Sequence, residues 1–413
     1  MTAQLDQLDL AALEPGYNRD PYPVYRELRA RPVRPVVLFG LPMWFVTGYA
    51  EAKAALTDPR IKHDRVHASP EVRERGPWLF STEKLGFDRY MLALDPPHHT
   101  RLRTMVNKVF TPRRIALLRP RITEIAVDLI ARARPNGAMD LVEEFSYPLP
   151  MTVISEMLGV PPDEDEPVRA WATAFSSVGA QSAEQIVAGF VTGRDYFVEV
   201  FRRRQALVDG AGGVDTEKVD LLTALAAVHQ GSDRLDGNEL LAMVFQLLVG
   251  GFETTANMFG NGVLALLRHP DQLELVRSDP SVRRNAVEEI IRWDAPVKNP
   301  WFRFAVEDVP LGDAVIPAGS VVAVNLAAAN RDPRRFADPD RFDVTRADAD
   351  QHLGFSHGPH FCFGAPLARA EGEIGIGELL ERLPDLRLAV PAEELTYRAS
   401  PSMRILDRLP LTC

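Results

Sequence analysis

Cysteine is scarce in this chain. Cys362 and Cys413 are the only two in 413 residues, and the second is the last residue, so nothing points to a disulfide framework. Basic charge is not in excess either, and a net charge of −10 argues against a general nucleic-acid binder. Met1 to Pro15 has neither a basic n-region nor a long apolar run. That predicts no signal peptide and no membrane anchor, and hence a cytoplasmic protein. What remains is an ordinary globular composition, 46% hydrophobic and 25% charged, long enough to bury a large core in one or two domains.

Periodicity gives the organisation. Asp20-Pro21-Tyr22-Pro23 leads into a short helix ending near Arg31. Val36 to Leu38 and Met43 to Thr47 are β-rich runs around Gly40-Leu41-Pro42, a hairpin signal, and a helix follows over Ala50 to Leu56. From Arg60 to Leu94 the periodicity fades while Trp78, Phe80, Phe87 and Met91 supply apolar bulk, as in a long loop with a task or one that plugs the core. Helices are expected over Arg113 to Arg134, Pro148 to Leu158, Val168 to Val178 and Ala183 to Val208, with a hinge at Gly179 to Ser182 and a flexible turn at Gly210 to Gly213. Glu239 to Arg268 is the longest apolar-periodic run. Gly250 and Gly251 in its middle each weaken a helix by roughly 1 kcal/mol against alanine, which suggests close approach by another group. Thr254 can bond back to the Gly250 carbonyl. A helix over Ser281 to Trp293 sets Glu289 and Arg292 on one face, and Val297 to Val324 carries β signals.

Leu353 to Ala370 is a glycine-rich loop that delivers Cys362 to a helix start, with Pro366 suited to the first turn. Unpaired amides there favour a thiolate, and Gly364 leaves room beside the sulfur. The residues alone leave several readings open. Cys362 could be core filler, a nucleophile with His360 as base, or a zinc ligand with His352, His357 and His360.

Phe355, Gly358, His360, Cys362 and Gly364 stand at the spacing Phe-x-x-Gly-x-His-x-Cys-x-Gly, which resembles the haem-ligand loop of the cytochrome P450 monooxygenases. The resemblance runs over nearly the whole chain and continues in Gly-Gly-x-Glu-Thr at Gly250, in Glu-x-x-Arg at Glu289 and in Asp-Pro-Pro-His-His at Asp95. It implies a mainly α fold with small β-sheets, a triangular helical prism holding haem between the long central helix and the cysteine loop. The single domain would span 1–413, with its β-rich part at about 35–60 and 297–325 plus the C-terminal strands. Cys362 would ligate the iron of heme b (iron protoporphyrin IX). His99, Arg103, Arg303 and His360 would hold the propionates, while Phe355, Gly364 and Gly250 adjoin the cofactor. Glu253 and Thr254 would sit beside bound dioxygen. Glu289 and Arg292 would form a core pair joined by Arg341. Two departures from the usual pattern are Ser356, where glycine is common, and Phe363, where leucine is usual.

The same resemblance implies O2 as co-substrate. With no flavin or iron–sulfur segment in the sequence, it also implies electrons from a ferredoxin and its NAD(P)H-dependent reductase. Arg101, Arg103, Lys108, Arg113, Arg114, Arg119 and Arg121 occur without one acid between Thr100 and Arg121, a candidate docking patch. Trp78, Phe80, Phe87, Met91, Phe175, Val249, Val297, Asn299 and Met403 are expected to line an apolar pocket for a lipophilic substrate. The nearest look is to soluble actinomycete enzymes that tailor macrolides and other secondary metabolites by hydroxylation or epoxidation, acting as monomers away from membrane and nucleic acid. Oxidative coupling of a peptide, indole or terpene metabolite, and a haem sensor without turnover, are the alternatives.

Overall fold

The computed structural model describes residues 8–10, 16–38, 40–75, 90–133, 135, 137–164, 166–168, 170–171, 183–210, 214–228 and 237–413. Trp78, Phe80, Phe87, Phe175, most of the expected 168–178 helix and the 179–182 hinge lie outside them.

The β-rich part is a six-stranded sheet in the order Leu8–Asp9, Val33–Leu38, Leu41–Val46, Val321–Val324, Arg303–Ala305, Ile61–Lys62. Side chains of a strand alternate between its faces. Accordingly Phe45, Phe304, Val321 and Ala323 pack with Tyr25 on one side, while Val46, Val322 and Val324 pack with Ala52, Ala55 and Leu56 on the other. Gly40 turns the hairpin with φ 76°, and Leu41 and Pro42, expected in the turn, instead open the second strand, paired with Leu38 and Val37. The two short helices Leu221–Val228 and Pro270–Ser278 were not expected from periodicity.

Four helices position the site: α1 (His98–Val109), α2 (Gly237–Arg268), α3 (Arg283–Trp293) and α4 (Ala365–Arg382). At 32 residues α2 runs about 48 Å, enough to cross the fold. It is also long and apolar enough to cross a membrane, but most of its apolar stretch is buried against other helices. Glycines let its neighbours come close. A Cβ at Gly251 would stand 3.0 Å from Ile154, at Gly262 2.9 Å from Ile290, and on α4 one at Gly375 would meet Phe259 at 2.6 Å. The close approach expected at the glycine pair is thus met by Ile154 at Gly251, whereas a Cβ at Gly250 would meet nothing within 4 Å.

The Glu-x-x-Arg pair of α3 is fully buried, with Arg292 Nε 2.6 Å from Glu289 Oε2. Its third member is Arg346, whose Nε lies 3.3 Å from the same oxygen. Arg341, expected in that place, points its side chain outward near Asp343 and contributes only its carbonyl, which accepts from Arg292. A buried carboxylate needs more than one donor, and beside Arg292 it is Arg346, not Arg341, whose side chain reaches it.

Candidate active site

The cysteine loop is built by hydrogen bonds rather than packing. The Cys362 amide donates to Phe355 O at 2.9 Å, Phe361 N to Gly358 O at 3.0 Å, and Ser356 N to Leu353 O at 2.7 Å. Gly358 has φ 75° and backs onto Thr57 and Leu56, where a Cβ would sit 2.7 Å from the Thr57 methyl, so only glycine fits. Ser356 has φ 63°, a conformation that glycine adopts freely and serine does not. The entry to the loop is anchored by His352, which donates through Nε2 to Glu288 Oε2 at 3.0 Å and accepts the Gly354 amide at Nδ1. Burial works against the Glu288 charge, yet His352 and Arg369 hold its carboxyl down to about 2. Both nitrogens of His352 are therefore committed, and no metal-holding cluster of His, Cys, Asp and Glu occurs among the described residues. The zinc reading is dropped on these grounds.

Cys362 precedes α4, whose cap is Gly364 and whose first turn contains Pro366. The amides of the helix start act toward the thiolate as expected, but they do not decide the balance. Burial pushes the Cys362 thiol up, and the amides of Gly364 and Ala365 with the Arg103 guanidinium offset this only in part. Phe363 packs edge-on against Phe110 and beneath Arg103.

Around the sulfur the structure gathers residues from distant parts of the chain. Arg103 Nη1 donates to Phe361 O at 2.7 Å, tying α1 to the loop. His99 is buried with neither ring nitrogen bonded to protein. His360 lies between two other rings, 4.0 Å from His99 and 3.6 Å from His63. Burial, then His99, Arg303 and Arg103, push His360 down to about 2, so its imidazole is neutral. Arg303 is fully buried with no carboxylate in ion-pair contact among the described residues, and burial lowers it to about 10. Sequence reasoning missed His63, since no spacing rule links it to a loop some 300 residues away.

On α2, Thr254 Oγ1 donates to Gly250 O at 2.6 Å. Glu253 is buried with Oε2 unbonded, and burial pushes its carboxyl up to about 7, with Arg398 acting the other way. Glu371 on α4 is a second buried acid, held well above the usual range by burial with Thr255 opposing.

Of the expected pocket residues that are described, Val249, Val297 and Met403 are half-buried. Val297 bridges to Met403, whose sulfur is 3.8 Å from Asn257 Nδ2 on α2. Two others are corrected. Asn299 is 1% exposed, donates to Pro401 O and accepts from Asn325, so its amide is structural. Met91 is part of the packed core. The cationic stretch is also less bare than its sequence implies. Arg101 pairs with Glu239, Arg113 with Glu217, Arg119 with Glu373 and Arg121 with Glu156, while Arg114 is buried and donates to Val219 O. Lys108, Arg113 and Arg121 nevertheless remain exposed.

The profile described as Cytochrome P450 matches residues 182–384. Cytochrome P450 107B1 of Saccharopolyspora erythraea is 44% identical, covering 98% of this chain and 97% of the relative. The 6-deoxyerythronolide B hydroxylase of the same organism is 41% identical over 96% of each. The solved structure of the tirandamycin C-bound P450 monooxygenase TamI superposes with a TM-score of 0.86 at 38% identity, covering 98% of this chain and 99% of that one. The chain belongs to the cytochrome P450 family. It is a haem-thiolate monooxygenase with that family's mainly helical fold and small sheets.

Proposed function

We propose that the chain, acting as a monomeric single domain in the cytoplasm, uses heme b, O2 and electrons from a ferredoxin and its NAD(P)H-dependent reductase to hydroxylate or epoxidise a lipophilic secondary metabolite. A polyketide macrolide in antibiotic biosynthesis is the class we favour. The observation that carries the reading is the donor set around Cys362: a buried His99 with two unbonded ring nitrogens and a buried Arg303 with no carboxylate paired to it among the described residues. A buried cation and orphaned donors are costly unless an anionic group meets them. Two propionates beside a cysteine-ligated porphyrin have that chemistry.

In this reading Cys362 is the iron ligand, and His99, Arg103, Arg303 and His360 bind the propionates. When bound, the haem would supply oxygen activation, and Cys362 as its thiolate ligand would supply the electron density that this chemistry needs. A cationic iron would also favour the thiolate that the protein alone does not. Glu253, with its carboxyl near 7, can hold or release a proton at neutral pH, and the Thr254 hydroxyl stands next to it on α2. Open space at Gly250 allows a ligand to approach the helix backbone. Val249, Val297 and Met403 present apolar surface to the substrate. Of the candidate docking patch, Lys108, Arg113 and Arg121 remain exposed, the two arginines being paired with Glu217 and Glu156.

Substrate class is supported by the hydroxylase of 6-deoxyerythronolide B and the tirandamycin C complex among the similar proteins. A spectral titration against a panel of macrolide, terpene and indole compounds, followed by turnover with ferredoxin and reductase, tests it. A tight spectral response and an oxygenated product from a macrolide support the reading. Turnover confined to indoles or terpenes overturns the substrate class.

A further inference from the structure

A guanidinium N–H can only donate, and Arg303 Nε lies 3.0 Å from His63 Nε2. That nitrogen must therefore be bare. A neutral imidazole then carries its proton on Nδ1, which is 3.0 Å from the Leu92 carbonyl, an acceptor. The same residue is also tied to the central helix, since Leu92 N, in the preceding peptide, donates to Gln246 Oε1 at 3.1 Å. Gln246 is on α2, four residues before Gly250. The backbone of His63 is fixed as well, its amide at 3.1 Å from both oxygens of Asp95, with the Asp64 amide at 2.9 Å from one of them. Its ring is buried and stacked on His360 at an interplanar angle of 16°.

We propose that His63 is a positioning residue for the cofactor, which aims Arg303 at a haem carboxylate and ties that arginine, through the backbone of Leu92, to the central helix.

Both nitrogens of His63 are occupied, so the ring has no N–H to offer an anion. In this it differs from His99, whose nitrogens are unbonded. With Nε held by His63 and Nη1 3.2 Å from Trp301 O, the guanidinium has one fixed orientation. Arginine otherwise loses considerable rotamer freedom on binding, and a preset fork forfeits less of it. Burial, Arg303 and His360 all hold His63 well below the usual histidine range, which keeps the acceptor nitrogen free of a proton. Connected bonds polarise one another, so the Leu92 carbonyl, by accepting from Nδ1, strengthens the acceptor that Arg303 uses.

The proposal rests on Arg303 binding a propionate, and the experiment separates the two. The rate of haem transfer from the purified holoenzyme to excess apomyoglobin is measured for the wild type, Arg303→Ala, His63→Phe, His63→Gln and the Arg303→Ala/His63→Phe double variant. His63→Phe keeps a ring on His360 but accepts nothing, whereas glutamine can accept from Arg303 and donate to Leu92. We expect His63→Phe to lose haem about tenfold faster, a net hydrogen bond's worth. His63→Gln should stay near wild type, and His63→Phe should add little once Arg303 is gone. A purely structural role would not give that non-additivity. Unchanged haem transfer in Arg303→Ala would overturn the propionate role of Arg303. Faster transfer in Arg303→Ala with no effect of His63→Phe, or with fully additive effects, would overturn the role of His63 alone. Should His63→Phe not fold, nitrogen NMR of histidine-labelled wild-type protein decides: the Nδ1–H tautomer at His63 supports the proposal, and the Nε2–H tautomer or the imidazolium refutes it.

Discussion

Arg346 lies 3.3 Å from Glu289, which makes it, with Arg292, the closing member of a buried three-residue charge network. Its Nη1 donates to Ala337 O at 2.7 Å, so the network also fixes the segment that leads to the cysteine loop. Removing Arg346 leaves Glu289 still paired with Arg292 but takes away a second charged donor, a loss of about 1.5–3 kcal/mol. We expect Arg346→Ala to lower unfolding stability by about that much and Arg341→Ala to change it by less than about 0.5 kcal/mol. Chemical unfolding of both variants checks this, and the reverse ranking would return Arg341 to the network.

Ser356 holds φ 63° with its hydroxyl buried and unbonded. A left-handed conformation costs a non-glycine residue about 1–2 kcal/mol, and glycine nothing of that kind. Ser356→Gly is therefore expected to raise stability by about 1 kcal/mol, read as a higher melting temperature. A lower melting temperature would mean that the serine makes a compensating bond.

Burial raises the Glu253 carboxyl from 4.5 to about 7. The folded state thus binds this proton more tightly than the unfolded state, and the stability it contributes is fully present below 4.5 and lost as pH rises through about 7. Glutamine cannot titrate. The stability of Glu253→Gln relative to wild type should therefore climb by up to about 3 kcal/mol across that window. Unfolding at a series of pH values measures it, and a difference independent of pH would show that Glu253 titrates normally.

Much of this was legible in the sequence where the spacing is local. The cysteine loop, the Gly250 to Thr254 stretch and the Glu289–Arg292 pair each sit within one turn or loop, so residue types fix the geometry. Legibility ended where partners meet across the fold. Arg346 and Arg341 are five residues apart in an irregular segment, and which of them reaches Glu289 depends on turns that no periodicity reports. His63 has no local motif, and its contact to Arg303 spans 240 positions. The cationic run looked bare because its acids come from Glu156, Glu217, Glu239 and Glu373. Asn299, expected to line the pocket, instead has its amide used up by Pro401 and Asn325.

Thr254 neighbours Glu253 on the central helix, with its hydroxyl bonded to the Gly250 carbonyl. If this pair supplies protons, Thr254→Ala should keep haem and substrate binding yet turn most NAD(P)H consumption into hydrogen peroxide rather than product. Peroxide and product are quantified against NAD(P)H in one assay. Full coupling in the variant would assign the hydroxyl to another group, Thr255 or the substrate itself.

Ligation by Cys362 is tested most directly by the absorption spectrum of the reduced protein under carbon monoxide, taken for the wild type and for Cys362→Ser. Thiolate ligation predicts a strongly red-shifted Soret band in the wild type that disappears in Cys362→Ser. A colourless wild-type protein, or a red-shifted band that survives the substitution, would contradict it.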